Sequence, residues 1–174
     1  EDYADEPESP YGVAKKRLNE LIKIMSRNSN LKYSILNLSN VYGPRQDPNG
    51  EAGVISIFAN KYLNNEKPII YGDGEQTRDY IYVKDVISAL IKASKIDENH
   101  FLNIGTGQEI SVNDLANSMK IQFNSGIEPT YKPAREGELK RSVLNNAKAK
   151  RDLDWEPVYS LDDGMEAVFN WLKS

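Results

Sequence analysis

Leu18, Leu21, Ile22 and Met25 recur at i, i+3, i+4 and i+7, a spacing that predicts a helix with one buried face. Ser9 is a good N-cap, and Pro10 fits the first helical position, where its missing N–H costs nothing. The helix runs from Ser9 to about Arg27, and Asn28-Ser29-Asn30 ends it. The acidic residues 1–8 read as the loop that enters it. Tyr33 to Ser39 is a short, largely apolar run. Its length and its place after a helix predict a buried strand of a parallel sheet.

Beyond a Pro/Gly-containing loop at Asn40–Pro48, Val54, Ile57, Phe58 and Tyr62 fall at helical spacing from Gly53 to about Asn64. Pro68–Tyr71 reads as a strand, Asp73-Gly74 as a tight turn and Thr77–Val83 as an alternating return strand, which together predict a hairpin. Asp85 is expected to cap a helix through Val86, Leu90, Ile91 and Ala93. Phe101–Ile104 is a strand, and Ser111-x-x-Asp114 caps a helix from Val112 to about Asn124. The Gly105-Thr106-Gly107 loop between them lacks the G-x-G-x-x-G spacing of a dinucleotide loop and reads as structural. A strand at Ile127–Lys132, a polar loop at Pro133–Ser142 and a short helix at Ala147–Leu153 follow. Ser160-Leu161-Asp162-Asp163 is a capping box that opens a last helix burying Leu161, Met165, Val168, Phe169 and Leu172. The fold class is α/β.

The chain has 174 residues, a formal net charge of −4 and 39% hydrophobic residues. That suits a globular unit with enough chain to bury a core. Mild acidity gives no ground for nucleic-acid or membrane partners. With no cysteine and one histidine, His100, disulfides, thiolate chemistry and a His-based metal site are excluded. No run of 18 apolar residues exists to span a membrane. The chain begins at Glu1 without a methionine, so a natural N-terminus is expected to be absent. A cytoplasmic location is the expectation, on the weak ground that no signal peptide is present.

Tyr11 and Lys15 stand four apart on the first helix and share a face, their Cβ atoms ~5–6 Å from one another. A lysine ammonium beside a phenol favours the phenolate, the form a general base needs. By spacing alone the pair is far more often an ordinary feature of a surface helix. Ser9-Pro10-Tyr11-Gly12-x-x-Lys15, however, resembles the Tyr-x-x-x-Lys signature of the extended short-chain dehydrogenase/reductases, the NAD-dependent nucleotide-sugar epimerases and dehydratases. The resemblance continues through Asn40–Ile55 (NVYGPRQDPNGEAGVI), Ile69–Val86 (IIYGDGEQTRDYIYVKDV) and Arg135–Ser142 (REGELKRS). It lies nearest to the UDP-glucose 4-epimerases.

What the resemblance implies is specific. Tyr11 would be the acid/base, and Lys15 would acidify it and hold the nicotinamide ribose. Asn40 would contact the substrate diphosphate, and Gly53, Val54 and Ile55 would line the uridine site. Ile69 and Tyr71 would contact uracil, Arg78 and Arg135 the phosphates, and Glu138 the ribose diol. An arginine fork suits phosphate, and a carboxylate that only accepts suits a diol. From charge alone Arg78 reads as a surface arginine paired to Asp79 or Glu75, and residues 135–142 as a solvated charged turn. Two positions depart from the family pattern: Asn37 where arginine is usual, and Asp154 where glycine is usual.

The family's G-x-x-G-x-x-G pyrophosphate loop is not in this sequence. The expected organisation is therefore a C-terminal part. Residues 1–40 would be the last helix and strand of a Rossmann-type NAD-binding domain, and residues 41–174 a small mixed α/β substrate-binding domain. The implied activity of the complete enzyme is UDP-glucose/UDP-galactose interconversion through a 4-keto sugar, with NAD as cofactor and a homodimer as the working form. The part alone would neither hold NAD nor turn over. The alternatives are a dehydratase, decarboxylase or uronate epimerase of the same family, or a non-catalytic nucleotide-sugar binding module.

Overall fold

The computed structural model describes residue 7 and residues 9–49 and 53–174. The rest of the loop read at residues 1–8, and positions 50–52 of the Asn40–Ile55 stretch, lie outside the described residues.

The first helix, α1 (Pro10–Arg27), is capped by the Ser9 hydroxyl, which accepts from Gly12 N–H with Pro10 behind it. Its apolar stripe is not buried: Leu18, Leu21 and Met25 are about half exposed, and no α1 residue is buried. The periodicity predicted the helix correctly but not its burial, because none of the described elements packs over that stripe. The helix is held at its end instead, where the Asn99 amide donates to the Ser26 hydroxyl and Ser26 donates to Leu31 C=O.

The expected parallel strand is present. Strand β1 (Ser34–Leu38) pairs in parallel with β6 (His100–Ile104), Asn37 opposite Asn103. Only Ile35 of β1 is buried. Across this pair Asn37 Nδ2 donates to Asn103 Oδ1 at 3.2 Å, so the asparagine that departs from the family pattern is satisfied by a second asparagine. Asn40 begins a strand rather than a loop: β2 (Asn40–Tyr42) runs parallel to β5 (Tyr80–Tyr82). Alternation along β5 sends Tyr80 and Tyr82 to one side and Ile81 to the other.

Those two sides define two cores. On one, Tyr42, Tyr80 and Tyr82 pack with helices α2 (Val54–Leu63), α4 (Val112–Gln122) and α6 (Leu161–Leu172), around Phe58, Leu115, Met119 and Met165. On the other, Ile81 meets α3 (Val83–Ala93), β6, α5 (Ala147–Leu153) and the fully buried Trp155. In α6, Met165 and Val168 are buried while Leu161, Phe169 and Leu172 are half-buried. Ser160 and Asp163 form the expected capping box, and the Ser111 hydroxyl accepts from Asp114 N–H. Asp154 ends α5 at φ 48°, ψ 44°, the left-handed conformation that glycine adopts freely and aspartate tolerates.

Two further expectations need correction. The segment after Pro68 is not a hairpin. Strand β3 (Ile69–Tyr71) pairs in parallel with β8 (Thr130–Lys132). Gly72 and Gly74, both at positive φ, turn the chain away. Strand β4 (Thr77–Arg78) then joins a separate sheet between β7 (Ile110–Ser111) and β9 (Arg141–Ser142). A turn signal between two strand patterns fixes a change of direction, not the partner. Asp85 is not an N-cap either. The capping position of α3 is Tyr82, and the Asp85 carboxylate is buried in the first turn, accepting from Val158 and Tyr159 N–H.

Among the described residues no helix is long and apolar enough to cross a membrane. None of their His, Asp and Glu residues cluster in a group able to hold a metal.

Candidate functional site

A cavity of about 380 Å³ opens between the start of α2, β3 and the 133–140 loop. Val54, Ile57, Phe58, Ile69, Ile70 and Val112 make its apolar wall. Asn40, Gln76, Arg78, Tyr80, Arg135 and Glu138 bring polar groups to it, and Gly53, Lys61 and Tyr71 complete the lining. Local structure explains each placement. Gly53 stands at the N-terminus of α2, β3 presents Ile69 and Tyr71 from alternate positions, and Arg78 is the last residue of β4.

The polar end is organised by two arginines. Arg78 Nη1 donates to Thr77 C=O at 2.8 Å, and its Nη2 lies 3.4 Å from Glu138 Oε1. Arg135 lies over the Tyr71 ring, 4.0 Å from the centroid, and holds the Tyr71 phenol below its ordinary range. The Tyr71 carbonyl accepts from Gln76 Nε2 at 2.9 Å. Tyr80 is 6% exposed and its hydroxyl has no hydrogen-bond partner among the described residues. Burial pushes this phenol up to about 12, so it remains a neutral donor at physiological pH. A second hollow of about 480 Å³ shares Tyr71, Gln76, Arg135 and Glu138 with the first.

Eight of the nine residues assigned to substrate by resemblance therefore meet at one cavity: Asn40, Gly53, Val54, Ile69, Tyr71, Arg78, Arg135 and Glu138. Ile55 does not; it is 1% exposed and belongs to the core around α2. Arg78 pairs with Glu138, rather than with the Asp79 or Glu75 partner suggested by charge alone. Tyr11 and Lys15 are apart from the cavity lining. They lie together on α1, with Tyr11 72% exposed and Lys15 Nζ 5.3 Å from its ring centroid. Tyr80, Gln76 and Lys61 were not singled out from the sequence. The sequence does carry a signal for Tyr80, because strand alternation puts residues 78 and 80 on one face.

The fold is shared with known proteins. The family model for GDP-mannose 4,6-dehydratase matches residues 1–168. A Methanocaldococcus jannaschii protein with a provisional UDP-glucose 4-epimerase name is 47% identical over 174 residues, covering 100% of this chain and 56% of that one. The crystal structure of Thermotoga maritima UDP-glucose 4-epimerase with UDP-glucose matches at TM-score 0.94 and 43% identity, over 97% of this chain and 54% of that one. Bacillus cereus UDP-glucuronic acid 4-epimerase, in complex with UDP-glucuronic acid and NAD, matches at TM-score 0.90 and 30% identity, over 99% and 55% of the two chains. The chain belongs to the NAD-dependent nucleotide-sugar epimerase/dehydratase family. It spans about half the length of these relatives.

Proposed function

We propose that this chain is the substrate-binding part of a UDP-sugar 4-epimerase, and that the cavity holds the UDP half of the substrate. The observation that carries the reading is the convergence of Arg78, Arg135, Asn40 and Glu138 on one cavity that is also lined by apolar side chains. Two guanidiniums suit a diphosphate. Glu138 suits a ribose diol, and the wall formed by Val54, Ile57, Phe58 and Ile69 suits a flat base. In this reading residues 1–40 belong to an NAD-binding domain and residues 41–174 to the substrate domain. Binding concentrated on the nucleotide leaves the hexose few fixed contacts, as needed if a 4-keto sugar must turn over between two hydride transfers.

The α1 pair fits a nicotinamide nucleotide in donor chemistry: a phenol and an ammonium on one exposed helix face can both bond ribose hydroxyls. When bound, NAD supplies the hydride acceptor and donor at C4. Tyr11 takes the 4-hydroxyl proton and returns it, and Lys15 favours the phenolate that does so. With no pyrophosphate glycine loop of its own, the chain alone neither retains NAD nor epimerises UDP-glucose. The exposed apolar stripe of α1 is proposed as a homodimer face.

The test of the chemistry is Tyr11→Phe in a polypeptide that also carries the pyrophosphate loop. UDP-glucose binding should survive while kcat falls by ~10²–10⁴. Near-normal kcat would overturn the role of Tyr11.

A further inference from the structure

Asp79 separates β4 from β5, and alternation turns its side chain away from the cavity that Arg78 and Tyr80 line. It is completely buried, and no salt bridge to it is formed among the described residues. Its carboxylate instead accepts four hydrogen bonds. Oδ1 takes Thr106 N–H at 2.9 Å and the Thr106 hydroxyl at 2.7 Å. Oδ2 takes Gly107 N–H at 3.1 Å and Leu144 N–H at 3.3 Å. A Cβ on Gly105 would stand 2.4 Å from Oδ2, so the loop's approach depends on glycine there. The Asp79 backbone is tied as firmly. Its N–H donates to Ser142 C=O at 2.9 Å, and its carbonyl accepts from Asn40 N–H at 2.8 Å.

One buried residue thus joins the strand carrying Arg78 to the strand beginning at Asn40, and anchors both to the 105–107 and 142–144 segments. A buried carboxylate is costly unless its acceptor sites are filled, and here every donor comes from a segment behind the cavity. We infer that Asp79 is a positioning residue for the anion-binding end of the cavity: it acts through Arg78 and Asn40 without touching the ligand. The inference rests on the reading of the cavity as a UDP site. Asp85 supplies the contrast. It is as deeply buried and also accepts backbone N–H bonds, yet it is not joined to the cavity lining.

The experiment is calorimetric titration with UDP, with thermal midpoints, for the wild-type chain and for Asp79→Asn, Arg78→Ala, the double variant, Thr106→Val and Asp85→Asn. Asp79→Asn sets an amide N–H₂ against backbone donors and should weaken UDP by about 10- to 100-fold, the scale of lost charge-assisted hydrogen bonds. In the Arg78→Ala background the same change should cost far less, because the two residues act as one unit. Thr106→Val, which removes one donor and keeps the shape, should weaken UDP less than Asp79→Asn does, and it carries the test if Asp79→Asn does not fold. Asp85→Asn should lower the midpoint while UDP affinity stays within about 2-fold. Unchanged UDP affinity in the Asp79 and Thr106 variants, or purely additive losses, would overturn the positioning role. Absence of UDP binding by the wild type would overturn the cavity reading, and the inference with it.

Discussion

Arg135 lies over Tyr71, its guanidinium carbon 4.0 Å from the ring centroid, and this contact ties the 133–140 loop to β3. A guanidinium over a phenol gains from the ring's negative face, and hydrogen bonding from Arg135, with its positive charge, favours the phenolate, so Tyr71 is held below its ordinary range. Arg135→Ala should therefore raise the Tyr71 phenol toward its usual value. Spectrophotometric titration of phenolate absorbance at alkaline pH reads this directly, with Tyr71→Phe identifying the transition. A Tyr71 transition unmoved by Arg135→Ala would separate the two residues.

Glu109 holds the small β7–β4–β9 sheet from outside. It accepts from the Thr77 hydroxyl at 2.8 Å and from Arg141 Nε and Nη2. The Arg141 bonds, with Thr77 second, depress its carboxyl from 4.5 to about 2. Because the folded value lies below the unfolded one, the linked stability is fully present above pH 4.5 and is lost as pH falls toward 2. Glu109→Gln should remove that part of the acid sensitivity. Thermal midpoints across the same pH range for both proteins are the check, and an identical acid slope would contradict the assignment.

Trp155 closes the core between α3 and α5. It is 1% exposed, and its indole N–H bonds Ser88 Oγ at 2.8 Å and Asp85 C=O at 3.1 Å. Trp155→Phe keeps most of the packing but leaves those acceptors short of a donor, at a cost of about 1–3 kcal/mol. Trp155→Ala adds a cavity and should cost about 3–5 kcal/mol. Chemical denaturation measures both; no loss in Trp155→Phe would mean that the hydrogen bonds contribute nothing.

Helices α1, α4 and α6 were legible because each carries its own periodicity and cap: Ser9, Ser111 and the Ser160/Asp163 box all act as their spacing predicts. Burial of α1 was not legible, since Leu18, Leu21 and Met25 announce an apolar face without saying what covers it. Strand partners were not legible either. Ile69–Tyr71 pairs with Thr130–Lys132, a choice made by distant chain that no local turn signal contains. The cavity depends on those same distant pairings, which bring Arg135 and Glu138 to Tyr71 and Arg78. Taken singly, each of these charged residues fits an ordinary surface role; only the family resemblance singled them out beforehand. Asp85 shows the limit of local rules most directly, because an aspartate near a helix start can cap that helix or serve a segment seventy residues away.

The central claim is the place where UDP binds, and amide chemical-shift mapping during a UDP titration tests it most directly. The account predicts saturable binding. The largest shifts should fall at Asn40, Gly53–Lys61, Ile69–Tyr71, Arg78 and Arg135–Glu138, and Arg78→Ala should need a higher UDP concentration to reach the same saturation. Saturable binding with its shifts elsewhere, or no shifts at millimolar UDP, would contradict it.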